Sequence, residues 1–165
     1  MNARALAAVG FLVVVAAEIQ WAVAFLDGWG LQAALVAIAA GGFAVAAWGA
    51  WDGWDATKVG RGLMVAAAAH AVYVFSWGNP FFWSTINSAS WGVGLALPVA
   101  AVGAMGGALR PGALRYGLWA AAAGATLWIV GDVQAGVYGF MVGNVLAPIG
   151  LVVAGAAAPY AAESS

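Results

Sequence analysis

Apolar runs approaching twenty residues recur along this chain from end to end, and they set the solvent in which it folds. A bilayer core needs roughly 20 apolar residues per helical span. Divided at its glycines, prolines and charges, the chain yields six such spans: Ala5 to Leu26, Leu31 to Trp51, Gly60 to Gly78, Ser90 to Leu109, Ala113 to Gly131 and Val137 to Ala158. With 65% of residues hydrophobic and 7% charged, the connections are too short to hold a soluble domain. The expectation is an all-α polytopic membrane bundle, residues 1–165 forming one transmembrane domain in a lipid bilayer, and the membrane we expect is a prokaryotic plasma membrane. The run after Arg4 continues past Glu18 to Phe25, too long for the apolar region of a cleaved signal peptide.

Positive charge gives the orientation, because Lys and Arg remain in excess on the cytoplasmic side. With the N-terminus inside, Arg4, Lys58, Arg61, Arg110 and Arg115 all fall on the inner side, and the C-terminus is inside as well. The outer connections hold Asp27, the uncharged stretch "NPFFWSTINSAS" and Asp132. Tryptophan agrees with this layout: Trp29, Trp77, Trp83 and Trp91 fall near the outer interface, and Trp48, Trp51, Trp54 and Trp119 near the inner one. Only Trp21 and Trp128 sit deeper.

Lipid tails give apolar helices no hydrophobic reason to associate, so close backbone approach has to supply the packing. The 24 glycines fit that need, in small-residue faces such as "AAGGFAVAAWGAW" and "GVGLALPVAAVGAMGGA". Pro98 and Pro148 lie inside spans four and six, where each frees a carbonyl and bends its helix. A weak echo between "LQAALVAIAAGGFAVAAWGAWDG" and "LRYGLWAAAAGATLWIVGDVQAG" suggests a 3+3 inverted repeat around a central path.

Several function classes drop out. Five Lys and Arg against six Asp and Glu leave no basic face for nucleic acid, and no cysteine means no thiol or iron–sulfur chemistry. A single histidine forms no His-cluster metal centre, and no cofactor is expected. No nucleophile elbow, phosphate loop or catalytic carboxylate pair appears, so the chain does not read as an enzyme.

What remains is a set of polar groups inside the apolar spans. At about 1.5 Å per residue, Glu18, His70 and Asn144 come from three helices to the middle of the membrane. Such groups are costly there and must be paired, protonated or wet. They are either interhelical glue or the lining of a substrate path, with Trp21, Tyr73 and Trp128 as further path candidates. Asp132, Gln134 and Asn87 are candidates for an outer entrance, although a carboxylate at an interface is ordinarily just solvated. Gln20 lies about 200° around the helix from Glu18. One of the two therefore faces another helix or another subunit, and we expect a homo-oligomer with a path in each protomer.

The stretch from Gly41 to Asp52, "GGFAVAAWGAWD", resembles the second-span signature of the acetate uptake transporter family through Gly41, Gly42, Ala44, Gly49 and Asp52, with Lys58 and Arg61 following. "SWGVGLALPVAAVGAMGGALRPGALR" is similar to the family's span four and basic inner loop, and "AGAAAPYAAE" to its closing segment. The resemblance implies six spans with both ends inside and transport of acetate or succinate. A second six-span family, the proton-gated urea and amide channels, has similar size and Gly-Gly usage, but its positive loops are the odd-numbered ones. The function expected is a channel or secondary transporter for a small solute, a short monocarboxylate such as acetate, with Glu18 carrying a proton as solute passes. The opposing expectation is a non-transporting membrane subunit or sensor.

Overall fold

The computed structural model describes residues 2–76, 85–106 and 110–163, with side chains described over 88–106 and 112–163 in the last two segments. Six helices run through them: α1 (Ala3–Ala24), α2 (Gly30–Trp51), α3 (Ala56–Ser76), α4 (Thr85–Met105), α5 (Arg110–Ala135) and α6 (Met141–Glu163). All six contain a stretch long and apolar enough to cross a membrane. Each helix packs against its neighbours in sequence, and α6 closes onto α1, so the six form a ring. The start of α1 and the end of α6 therefore lie at one end of the ring, with Arg4, Lys58, Arg61 and Arg115. The positive-inside rule makes this the inner end.

The helix boundaries have local causes. Asn2 accepts a hydrogen bond from Ala5 N at 2.8 Å and opens α1. Asp55 Oδ1 accepts from Thr57 N and Lys58 N, both at 3.0 Å, and starts α3 four residues before the expected Gly60. The tight α2–α3 turn runs through Gly53 at φ +82° and Trp54 at φ +65°, a conformation that costs glycine little. At the other end of the ring, α5 continues past the expected Gly131 to Ala135, and α6 starts at Met141 instead of Val137. The five residues between them form a turn through Gly136, at φ +67°.

The surface is apolar where lipid would lie: Leu12, Ile19, Val23, Leu95, Val102 and Val152 are all exposed. The inner end carries the charged and aromatic belt. Lys58 pairs with Asp52 at 3.1 Å and Asp55 at 3.3 Å and lies over the Trp48 ring, while Arg115 lies over Tyr160 and Trp119. Trp54 is at this end but buried, and Trp77 and Trp83 of the outer belt lie outside the described residues.

Glycine contacts divide the ring into three tightly joined pairs. A Cβ at Gly10 of α1 would stand 2.6 Å from Ala154 N of α6, and one at Gly42 of α2 would stand 2.6 Å from Gly62 O of α3. At Gly117 of α5 it would stand 2.5 Å from Ala100 N of α4. Backbones touch at these crossings, which is where helix association in lipid gains its van der Waals energy. Two pairs, α2–α3 and α4–α5, lie within the triplets of the expected 3+3 division, and α6–α1 joins one triplet to the other.

The crossings stand in the inner half, and the space they leave is filled there by fully buried Phe11, Phe43, Leu63, Leu97, Leu118 and Leu151. In the outer half α4 and α5 stay close, a Cβ at Gly124 standing 3.0 Å from Val93 N, while larger side chains of α1, α3, α5 and α6 border a cavity.

Candidate functional site

Three odd-numbered helices meet on the ring axis at the level where the apolar core ends. Glu18 of α1 reaches across to His70 of α3, with Oε1 3.0 Å from Nε2. The two residues are 1% and 3% exposed, so this is a buried pair, and it links helices not adjacent in the ring. Glu18 Oε2 is buried without a hydrogen-bond partner among the described residues. One proton shared between carboxyl and imidazole makes the pair either neutral or zwitterionic, and both forms are overall uncharged. Desolvation favours such an arrangement over a lone ion. The His70 ring lies 5.7 Å from that of Trp128 on α5, and Trp128 meets Trp21 of α1 edge to face at 4.8 Å.

These rings form the floor of a cavity of about 170 Å³, lined by Trp21, Phe25, Val36, His70, Tyr73, Trp128, Asp132, Val137, Phe140 and Asn144. Its walls are anchored by hydrogen bonds that run outward into the scaffold. Trp128 Nε1 donates to Ser90 Oγ of α4 at 3.1 Å, and Trp21 Nε1 to Phe140 O at 3.4 Å. Gln20 Nε2 donates to Gly139 O at 2.8 Å while its Oε1 accepts from Gly143 N at 3.0 Å, clamping the start of α6 onto α1. Further out, Asn144 Nδ2 donates to Asp132 Oδ2 at 2.6 Å, joining α6 to α5. Pro148, having no N–H, leaves Asn144 O without its helical donor.

Of the expected path residues, His70, Asn144, Trp21, Tyr73 and Trp128 line this one cavity. Glu18 does not line it. It stands behind His70 and meets the cavity through that ring. Asn144 was expected at the depth of Glu18 and pairs instead with Asp132, because α6 starts later and lifts Asn144 toward the outer end. Asp132 is not a solvated entrance group: the extended α5 carries it inside, where it is 6% exposed. Gln134 is exposed and off the wall, and the side chain of Asn87 lies outside the described residues. Gln20 finds its partners within the same chain, at Gly139 in the turn before α6 and at Gly143 on α6.

The motif from Gly41 to Asp52 is remote from the cavity. Gly42 and Gly49 provide close crossings onto α3, Gly41 has nothing against it, and Asp52 belongs to the inner-end ion pair. Phe25, Val36, Val137 and Phe140 are wall residues that the sequence did not single out. A signal for Phe25 was present, since it follows Trp21 by one helical turn on the same face. Phe140 had none, because its place depends on the turn between α5 and α6. Compared with family models, with curated proteins and with solved structures, the chain matches none of them.

Proposed function

We propose that this protein is a secondary transporter that receives a small solute in the outer-half cavity and couples its passage to the proton shared by Glu18 and His70. The observation that carries the reading is the buried Glu18–His70 pair at the floor of the cavity, 3.0 Å across and bridging α1 to α3. A buried ionisable pair in a membrane bundle is costly, and its usual employment is a proton or substrate route. Protonation of both partners, or loss of the shared proton, would leave one unpaired buried charge, so a change in proton count favours a different packing of α1 against α3. A solute that contacts the His70 ring is in a position to bias that change.

The filled inner half supports a transporter over an open channel, because passage requires the inner helices to separate. The Asp132 carboxyl on the wall, with no Lys or Arg beside it and only the His70 ring able to carry positive charge, favours entry of a short monocarboxylate such as acetate as the neutral acid. Each chain carries its own complete cavity, so a homo-oligomer would multiply the sites without building them. The filled inner half also favours a second reading, a membrane sensor subunit that binds solute and passes nothing.

Proteoliposome flux with an imposed pH gradient separates the two. Solute accumulation that follows the gradient in protein-containing vesicles, and is absent from empty ones, supports the transporter. Permeability to acetate, urea, glycerol, ammonia and choline no greater than that of empty vesicles, at either pH, assigns the subunit reading.

A further inference from the structure

We propose that the cavity is a binding site for a small quaternary ammonium ion of about the size of choline. Four observations converge on that class.

The first is the wall. Trp21, Phe25, Tyr73, Trp128 and Phe140 surround one space of about 170 Å³. Their rings are not stacked flat: Trp21 and Trp128 cross at 77°, Phe25 and Tyr73 at 54° with centroids 6.0 Å apart, and Phe25 and Phe140 at 37° and 4.8 Å. Rings set at different angles around a common space offer π surface from several directions, which is how aromatic cages hold quaternary ammonium. The polar edges of both tryptophans are committed elsewhere, Trp21 Nε1 to Phe140 O and Trp128 Nε1 to Ser90 Oγ. Neither indole N–H is left to recognise a solute oxygen.

The second is charge. Asp132 is on the wall, and Asn144 holds one of its oxygens by a 2.6 Å hydrogen bond. No Lys or Arg is among the lining residues. Arg4, Lys58, Arg61, Arg110 and Arg115 all stand in the inner halves of their helices. An anion entering this space meets the Asp132 carboxyl and has only the His70 ring, already held by Glu18, to offset it, whereas a cation finds that carboxyl as a partner.

The third is the scarcity of acceptors. A primary ammonium brings three N–H donors that each need an acceptor when desolvated. The cavity offers Asp132, one of whose oxygens already accepts from Asn144, with Asn144 and Tyr73 as the further oxygen-bearing side chains. His70 is held by Glu18, and the wall is otherwise ring and aliphatic carbon. An alkylated nitrogen has no N–H to satisfy, and its charge is met by ring faces and one carboxylate.

The fourth is size. A cavity of about 150 Å³ holds a benzene-sized molecule, so this one accommodates roughly six to eight non-hydrogen atoms. Acetate, with four non-hydrogen atoms, would leave up to about half of it empty.

The inference names the substrate class of the transport reading and rests on that reading for flux, not for binding. Binding is measured on the purified full chain in nanodiscs by calorimetry, using choline, tetramethylammonium, acetate and 3,3-dimethylbutan-1-ol, which has the shape of choline without the charge. Choline and tetramethylammonium are expected to bind, with the neutral alcohol at least tenfold weaker than choline and acetate undetectable. Asp132→Asn keeps a partner for Asn144 and should weaken choline at least tenfold without changing the affinity for the alcohol. Tyr73→Leu should weaken choline severalfold, and Tyr73→Phe, which keeps the ring, should restore it. The wild-type comparison of choline with its neutral isostere requires no variant to fold. Equal affinity for the two, or tighter binding of acetate than of choline, overturns the proposal, as does an unchanged choline affinity in a folded Asp132→Asn protein. Choline binding without flux would leave the cage standing and remove the transporter. Proton-driven flux of acetate with no choline binding would do the reverse.

Discussion

Replacing Glu18 by Gln and by Ala separates its two roles. In the wild type its Oε1 is 3.0 Å from His70 Nε2, and its Oε2 is already buried without a partner among the described residues. Gln keeps the volume and one hydrogen bond to the imidazole. It exchanges an unpartnered oxygen for an unpartnered amide group, so the net cost should stay near 1 kcal/mol, the worth of one adjusted hydrogen bond. Ala strands His70, which is 3% exposed, and leaves a void where the carboxyl stood. Breaking a buried pair from one side costs about 3–5 kcal/mol. Unfolding by SDS titration from mixed micelles should therefore place Glu18→Gln at least about 2 kcal/mol above Glu18→Ala. Solute flux in proteoliposomes should respond differently: the Gln variant should still bind solute but lose the dependence of uptake on the pH gradient, since the shared proton is gone. If Gln is as destabilising as Ala while flux per folded molecule keeps its normal pH dependence, the pair only holds α1 to α3 and the proton route lies elsewhere.

Other outcomes follow from the packing and the termini. Gly42→Val would drive a side chain into Gly62 O and Ala66 N, which a Cβ already approaches to 2.6 and 2.8 Å, and should cost 3 kcal/mol or more at about the upper limit for overpacked cores, read as a lower Tm in detergent. Asp55, outside the spans, has its carboxyl held below the usual 3.8, first by the backbone N–H of Lys58 and then by the Lys58 ammonium. Because the folded value is the lower one, this contribution is present above pH 3.8 and is lost as pH falls through the folded value. The Tm deficit of Asp55→Ala should therefore be constant at neutral pH and shrink in strong acid, and a deficit that grows on acidification would refute the cap. The chain has no cysteine, so Asp27→Cys should react with an impermeant maleimide from outside intact cells and Asp52→Cys only after lysis. Labelling of both from one side would overturn the orientation.

The sequence made the spans legible because apolar length and basic connections are local properties. The depth of Glu18 and His70 followed from the same arithmetic, since each lies well inside an uninterrupted span. The misreadings concentrate where helix length is decided by a partner. Asp132 looks like the end of span five until Asn144 is known to be beside it, and the hydrogen bond between them makes the extra helical turn tolerable in an apolar setting. Gln20 looked like a group in need of another subunit because its partners are backbone atoms of Gly139 and Gly143, freed only by the late start of α6. The family-like glycines were visible for a different reason: Gly42 and Gly49 are required by close helix crossings, a need shared by unrelated membrane bundles, and they say nothing about solute.

If solute is to leave toward the inner side, some of the inner helices must part, and the glycine contacts indicate which. At the inner-half crossings within α2–α3, α4–α5 and α6–α1, Gly42, Gly62, Gly117, Gly10 and Gly150 have backbone atoms as their nearest neighbours, and these cannot move aside without the whole helix. Between these pairs the contacts are different. Gly60 of α3 meets the side chain of Met105 on α4, and Gly155 of α6 meets the indole of Trp119 on α5, along with Leu118 Cβ. Side chains can swing and re-form contacts at little cost, so the seams between pairs are where separation is cheapest, and each tight pair should move as a unit. Cysteine pairs test this directly. A disulfide joining Gly60→Cys to Met105→Cys closes the α3–α4 seam and should abolish flux while leaving solute binding intact, with recovery on reduction. One joining Gly49→Cys to Lys58→Cys ties α2 to α3 within a pair and should leave flux equal to that of the same variant in its reduced form. Flux that survives the first cross-link, or is lost on forming the second in a protein that still binds, would show that the moving units are not these pairs.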